Sequence, residues 1–262
     1  MRDVLLGNFL QKNFIAMIDL TKMSWGDIKD KNFDVVVLPW GAIEPHNYHM
    51  PYLTDAFLSH EIAKASANLV WEKAGKLCMV MPPIYLGSQN PGQWNLPFCI
   101  HTNYETQKAI LTDIVTSLNI QGFRKLLIVN GHGGNTFKSM IRDLAIKYPD
   151  FFILVSNWFD IVPKEDYFEE AIDEHGGEQE TSVLMHFMPE LVKLEKAGKG
   201  TLHPWSMQSM NDKTAWAPRN WQQHTDDTGI GNPEKSSAVK GKRYAEKVSE
   251  KIANLLIELS EY

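Results

Sequence analysis

Two carboxylates and an imidazole are grouped early in the chain. Glu44 and His46 follow the short apolar run 35–38, and Asp55 comes nine residues after His46, beside a helical pattern. Side chains two residues apart in an extended segment leave the backbone on the same side, so Glu44 and His46 can converge on one point. Carboxylates and an imidazole in one small volume repel or desolvate each other unless positive charge lies between them. The grouping predicts a divalent metal site, although Asp55 alone could equally cap a helix.

Two later stretches place further histidines and carboxylates beside glycines. His132 lies in NGHGGN at 130–135, and His175 and Glu180 lie in EHGGEQETS at 174–182. In isolation, His132 would be a turn histidine and Glu180 a surface carboxylate at a helix start. Because three separate stretches offer such groups, we interpret them as one two-metal site, with Asp55 bridging ions about 3.5–4 Å apart. The predicted ligands are Glu44, His46, Asp55, His132 and Glu180.

The glycines around His132 also raise the possibility of a phosphate-binding loop. Neither GxGxxG nor a loop ending in Gly-Lys-Ser/Thr is present. Amide groups at the start of the helix after Gly134 could still hold an anionic part of a substrate. Small residues at Gly133 and Gly134 let a ligand approach the backbone, so we predict that both contact substrate.

Strand and helix patterns alternate along the chain. Strands are predicted at 35–38, 77–81, 126–129 and 151–155, and helices at 56–75, 104–120, 136–148, 178–188 and about 235–259. Because no hairpin signal interrupts this order, the predicted fold class is α/β, with a mostly parallel sheet and helices on both faces. Ligands of such sheets bind beyond the carboxyl ends of the strands, where the loops of Glu44 and His132 begin.

Two irregular segments, 87–102 and 203–225, are predicted to form the wall and lid of a pocket. Both contain tryptophans. Trp94 is a predicted substrate contact, although packing is the more ordinary role of any single tryptophan.

Composition limits the partners and the location. The net charge of −6 argues against nucleic acid and anionic membranes as partners, which leaves a small molecule or another protein. No window has the length of a membrane span, and the first 20 residues lack the apolar core of a signal peptide. Two cysteines without CxxC spacing favour a reduced, cytoplasmic location. At 262 residues, the chain is predicted to form a single domain over 1–262.

Five blocks, in order, resemble the signature blocks of the creatininase (creatinine amidohydrolase) family. They are GAIEPH at 41–46, TD at 54–55, NGHGGN at 130–135, EHGGEQETS at 174–182 and TGIGNP at 228–233. The resemblance implies a three-layer α/β/α sandwich and hydrolysis of cyclic or linear amides. It also implies two divalent ions per chain, of zinc, manganese or iron, and a homo-oligomer such as a hexamer.

The resemblance also implies residue roles. One ion would take Glu44 and His132, and the other His46 and Glu180, with Asp55 between them. His175 matches a family histidine that acts in proton transfer. Glu178 is a second candidate for that duty, against the plainer interpretation of a solvated glutamate at a helix start.

The third block departs from creatininase itself, where an aromatic residue and a glutamate follow the histidine. Gly133 and Gly134 stand at those positions. Other branches of the family, including formamide hydrolases, carry the simpler His-Gly-Gly-Asn block. The resemblance therefore predicts a member of the family other than creatininase.

The predicted function is hydrolysis, by a metal-activated water, of a C–N bond other than a peptide bond in a small cyclic amide, lactam or formamide. One alternative is a non-catalytic sensor or scaffold of the same fold that binds a metal or small ligand. Another is a sugar or nucleotide enzyme that holds phosphate in the glycine loop.

Overall fold

The central sheet has four parallel strands. A computed structural model describes residues 18–262. The strands are β1 (Val35–Trp40), β2 (Cys78–Val80), β3 (Lys125–Asn130) and β4 (Phe152–Asn157), in the spatial order β2-β1-β3-β4. Val36 pairs with Leu126, and Lys125 with Phe152, so β1 and β3 lie side by side at the centre. The carboxyl ends of both central strands therefore face the same edge of the sheet.

Five long helices connect and flank the strands. They are α1 (Thr54–Ala74), α2 (Tyr104–Ile120), α3 (Lys138–Lys147), α4 (Glu178–Phe187) and α5 (Ala238–Glu261). Single helical turns lie at Trp25–Ile28, Gln208–Asn211 and Trp221–His224, and 3-10 turns at Leu20–Lys22, Gln93–Asn95, Pro189–Leu191, Leu194–Lys196 and Pro233–Lys235. The predicted helices are all present, with ends shifted by up to three residues. α5 begins later than predicted because Pro233–Lys235 forms a separate turn and Ser237 caps the helix.

Both faces of the sheet are covered, which explains the unbroken apolar character of its central strands. Val35 and Val37 of β1 point into a core shared with α1, α4 and α5. Val36 and Leu38 point into a second core, which includes residues of α2 and α3. The predicted α/β/α sandwich with a mostly parallel sheet is confirmed.

β1 continues two residues beyond its predicted end. Pro39 pairs with Val129 and Trp40 with Asn130. The carbonyl group of Pro39 accepts from the amide of Ile84, so this residue faces the side on which β2 has already ended. Because the missing N–H of a proline points the same way, Pro39 removes no ladder hydrogen bond between β1 and β3.

Two glycines bring the ends of β1 and β3 against the first turn of α1. A Cβ atom at Gly41 would lie 2.3 Å from the amide nitrogen of Ala56. A Cβ atom at Gly131 would lie 2.4 Å from the carbonyl oxygen of Asp55. Real Cβ atoms do not approach backbone so closely, so only glycine permits this packing. The contact fixes Asp55 at the carboxyl edge of the sheet.

Among residues 18–262, no helix is both long and apolar enough to cross a membrane. The segment 1–17, on which the argument against a signal peptide rests, lies outside the described residues. The single-domain extent 1–262 and the cytoplasmic location stay predictions.

The tight contact at Gly131 predicts that Gly131→Ala destabilises the protein. The added methyl group must displace the first turn of α1, and overpacking of this kind costs about 1–3 kcal/mol. Gly133→Ala is the matched control, because a Cβ atom there meets nothing within 4 Å. Urea unfolding of both variants measures the difference. Equal stability of the two variants would contradict the close approach.

Candidate metal centre

The carboxyl edge of the sheet collects five buried ligand-type side chains. Two come from the loop after β1, one from the first turn of α1, one from the residues after β3 and one from the first turn of α4. In that order they are Glu44, His46, Asp55, His132 and Glu180. These are the residues to which the sequence pointed, and the structure brings all of them together.

Asp55 is shared by two groups of donors. Glu44, Asp55 and His132 each offer a ligand atom, and these atoms lie within 4.8 Å of one another. His46, Asp55 and Glu180 form a second group by the same measure. A third group overlaps both and contains Glu44, His46 and His175.

Backbone carbonyls orient the histidines of the two groups that share Asp55. His46 Nδ1 lies 3.1 Å from the carbonyl oxygen of Glu44, and His132 Nε2 lies 2.6 Å from that of Ser88. A carbonyl oxygen only accepts, so each of these nitrogens donates. The other nitrogen of each ring therefore faces the carboxylates: His46 Nε2 lies 2.8 Å from Asp55 Oδ1, and His132 Nδ1 lies 2.7 Å from Glu44 Oε1.

The carboxylates leave two buried oxygens without a donor. With a neutral His132, Glu44 Oε1 and Asp55 Oδ2 accept no hydrogen bond from the described residues. Asp55 Oδ2 also lies 3.2 Å from His132 Nδ1. Unpaired buried carboxylate oxygens are costly, and lone pairs on nitrogen and oxygen that face each other need a cation between them.

Protons are the only cations that the residues themselves can supply. Burial lowers the pKa of His46, but the negative charges of Asp55, Glu180 and Glu44 outweigh it and raise this pKa to about 10. Burial likewise opposes protonation of His132, yet Glu44 and Asp55 raise its pKa well above the ordinary value. The pKa of Asp55 is lowered, because the two histidines outweigh the effect of burial.

These donors fit divalent cations. Imidazole and carboxylate are suitable ligands for zinc and related ions. Metal-binding histidines usually donate their second N–H to a carbonyl or carboxylate, as His46 and His132 do. A pair of cations would also satisfy the unpaired oxygens of Glu44 and Asp55.

His175 completes the edge of the cluster. Its amide donates to the carbonyl of Ile230 and its carbonyl accepts from the Ile230 amide, so the TGIGNP stretch holds it in place. His175 Nε2 donates to the carbonyl of Pro45 at 2.9 Å, and Nδ1 lies 3.8 Å from Glu44 Oε1. The ring lies 4.2 Å from that of His46 and contacts the Trp221 ring edge-on.

Comparison with known proteins identifies the family. The chain matches the creatininase (creatinine amidohydrolase) family model over residues 21–256. The chain belongs to the creatininase family. Members of this family with a named activity are hydrolases.

Two solved structures illustrate the similarity. A Bacteroides fragilis NCTC 9343 protein, provisionally named a creatinine amidohydrolase, is 55% identical with a TM-score of 0.93, over 94% of this chain and 98% of that chain. A creatininase variant complexed with creatine is 25% identical with a TM-score of 0.74, over 92% of this chain and 98% of that one. Two further creatininase structures, one named for zinc and one for manganese, share the fold.

Similarity to proteins of named activity is lower. The creatinine amidohydrolase of Pseudomonas putida is 30% identical over 181 residues, which are 62% of this chain and 67% of that protein. A Mycobacterium ulcerans protein named a mycofactocin precursor peptide peptidase is 25% identical, over 84% of each chain. The relatives therefore act on different substrates, and the substrate of this family member must be argued from its own residues.

Glu178 lies away from the cluster. The prediction offered it as a solvated glutamate or a proton-transfer group, but its side chain is 0% exposed. Its carboxylate accepts from Lys240 of α5 and from the amides of Glu169 and Glu170. The prediction of a solvated glutamate is therefore wrong for Glu178, because the side chain is buried and its charge is balanced by Lys240. Glu180, two positions on along α4, points to the centre and accepts from the amide of Gly176 at 2.6 Å.

The three predicted substrate contacts lie in different surroundings. A Cβ atom at Gly134 would lie 2.5 Å from His132 Nε2, so this glycine leaves room for the imidazole. Gly133 is exposed and open on the side where a Cβ would stand. Trp94 is 47% exposed, and its ring contacts His101 edge-on.

Sequence reasoning missed one buried residue that touches the cluster. Gln93 lies next to Trp94 in segment 87–102, and its Nε2 donates to Glu44 Oε2. A glutamine in an aperiodic loop gives no pattern from which its burial could be read. The signal that existed was the length of the loop, which singled out the segment but not the residue.

The raised pKa of His46 predicts that the metal-free protein loses stability as pH rises from about 7 to 8.5. In this range the folded protein holds a proton on His46, whose pKa is raised to about 10. The unfolded chain has released that proton, so stability falls by about 1.4 kcal/mol per pH unit for each such histidine.

Urea unfolding of chelator-treated protein at several pH values measures this slope. His46→Gln is the control, and its slope should be shallower because it has lost one of the titrating groups. Constant or rising stability of the metal-free parent over this range would contradict the prediction.

Proposed function

We propose that this chain is a dinuclear metal-dependent amidohydrolase that cleaves a C–N bond, other than a peptide bond, in a small cyclic amide, lactam or formamide. One observation carries the proposal: His46 and His132 each give one N–H to a backbone carbonyl and turn the other nitrogen toward carboxylate oxygens. This is the arrangement by which proteins orient metal-binding histidines.

The two groups that share Asp55 give the ligand assignment. Glu44, Asp55 and His132 would hold one ion, and His46, Asp55 and Glu180 would hold the other. Zinc, manganese or iron suits these ligands. When bound, such ions polarise a carbonyl oxygen and lower the pKa of a water molecule to about 7.

His175 is the group proposed to move the proton. Its Nε2–H is held by the Pro45 carbonyl, so the neutral ring keeps Nδ1 free on the side of Glu44. An imidazole can act as general base and then as general acid, so Nδ1 can take a proton from water and give it to the departing nitrogen. The ring lies between His46 and Trp221, and this packing keeps its orientation.

The substrate class rests on the pocket walls and on the relatives. Segments 87–102 and 203–225 approach the cluster through Gln93 and Trp221, in line with their proposed roles as wall and lid. Gly133, Gly134 and Trp94 are proposed substrate contacts. The name of the Pseudomonas putida relative supports a cyclic amide. A peptide substrate, suggested by the name of the Mycobacterium ulcerans relative, is the competitor that a substrate screen must include.

Two further properties belong to the proposal. The resemblance to the family supports a homo-oligomer, such as a hexamer. A cytoplasmic location is supported by Cys78 and Cys99, which are both buried and free.

Metal analysis with an amidase screen tests the proposal. We expect the parent to hold two divalent ions per chain, Asp55→Ala to hold neither firmly, and His132→Ala to lose one. Because each variant removes a ligand, hydrolysis by both should be at least about 100-fold slower than by the parent.

Elemental analysis and turnover of creatinine, lactams, formamides and a short peptide are the measurements. A parent without stoichiometric metal, or variants as active as the parent, would overturn the proposal. Full metal content with no turnover would favour a sensor or scaffold.

His175→Gln separates proton transfer from metal binding. We expect kcat to fall about 100- to 10,000-fold, because the glutamine cannot exchange a proton. Metal content should equal that of the parent. Loss of an ion would show instead that His175 is a ligand, as its proximity to Glu44 and His46 also allows.

A further inference from the structure

Gln93 makes hydrogen bonds with both ends of its side chain. It lies in the 3-10 turn Gln93–Asn95 and is 1% exposed. Its Oε1 accepts from the amide of Asn90 at 2.8 Å, and its Nε2 donates to Glu44 Oε2. Because the Asn90 amide can only donate, it fixes which end of the carboxamide faces Glu44.

This contact makes the two oxygens of Glu44 inequivalent. Oε2 accepts from Gln93, whereas Oε1 has no donor among the described residues while His132 is neutral. Oε1 is also the oxygen that lies 2.7 Å from His132 Nδ1 and 3.8 Å from His175 Nδ1. The carboxylate is therefore held with one oxygen directed at the donors of the first ion group.

We propose that Gln93 is a positioning residue for the metal centre: it holds Glu44 Oε2 so that Oε1 alone is presented to the ion shared with His132. The inference rests on the proposed dinuclear centre. It concerns one ion of the two, because neither side-chain hydrogen bond that Gln93 makes among the described residues reaches His46, Asp55 or Glu180.

The surrounding loop supports this role. The carbonyl of Pro91 accepts from the Trp221 amide at 2.7 Å, and the Trp221 ring contacts His175. Segment 87–102 is therefore joined to the second irregular segment on one side and to Glu44 on the other. Through the hydrogen bond of Gln93, the proposed pocket wall contacts the proposed metal ligand Glu44.

The test compares Gln93→Met with Gln107→Met. Methionine keeps the length of glutamine and removes its hydrogen bonds. Gln107 is also 1% exposed, and within residues 18–262 its side-chain hydrogen bonds go to Ser88 Oγ and the Thr102 carbonyl of the same segment, neither of which is a proposed ligand atom. It therefore controls for general loosening of the loop.

Zinc affinities of the full-length protein are measured by competition with a chromophoric chelator, together with the zinc content after dialysis. We expect Gln93→Met to weaken one of two zinc sites about 10- to 100-fold, the usual effect of losing a group that orients a ligand. The second site should keep the affinity of the parent, and Gln107→Met should keep both. Gln93→Ala supplies the same comparison if the methionine variant does not fold.

A double-mutant cycle shows whether Gln93 acts through Glu44. Glu44→Gln alone should weaken the same site, and adding Gln93→Met should weaken it no further. Additive losses, or parental affinity in both Gln93 variants, would overturn the inference. A parent that binds no zinc would instead overturn the proposed function, so the two failures are distinguishable.

Discussion

The carboxylate of Asp55 lies between the imidazole rings of His46 and His132, and all three groups are buried. Its Oδ1 is 2.8 Å from one ring and its Oδ2 is 3.2 Å from the other. With Glu44 and Glu180 beside it, the cluster holds three carboxylates and needs compensating positive charge. That requirement connects the packing of the fold with the proposed chemistry, because divalent cations that would neutralise the cluster are also able to activate water.

Part of the positive charge that the three carboxylates need comes from the backbone. Asp55 lies in the first turn of α1 and Glu180 in the first turn of α4. Helix N-termini carry partial positive charge and free amides, so they favour carboxylates. Glu44 and His132 come instead from loops that leave the carboxyl ends of β1 and β3. Glycines at 41 and 131 let these strand ends and α1 meet closely enough for the donors to converge.

Much of the fold and of the candidate site could be predicted from sequence, because these parts depend on residue patterns within short stretches of the chain. Short, unbroken apolar runs predicted β1 and β3, and the glycine-flanked His and Glu residues marked the loops at the carboxyl edge of the sheet. Helix geometry also explains why Glu178 and Glu180 differ. Side chains two residues apart on a helix project about 200° from each other, so the two glutamates cannot both face the candidate metal centre. Gln93 could not be predicted, since its contact joins positions 49 residues apart through a loop without period.

The difference between regular elements and irregular loops also explains why membership of a family does not identify a substrate. The ligand groups come from strand ends and helix starts, which the packed sheet determines. The proposed pocket walls come from segments 87–102 and 203–225, whose course depends on side-chain contacts such as those of Gln93 and Trp221. Such segments can change without disturbing the sheet, so relatives of one fold act on different molecules. Because Gln93 belongs to a proposed wall and also contacts Glu44, a change in that wall would alter the proposed metal centre as well as the pocket.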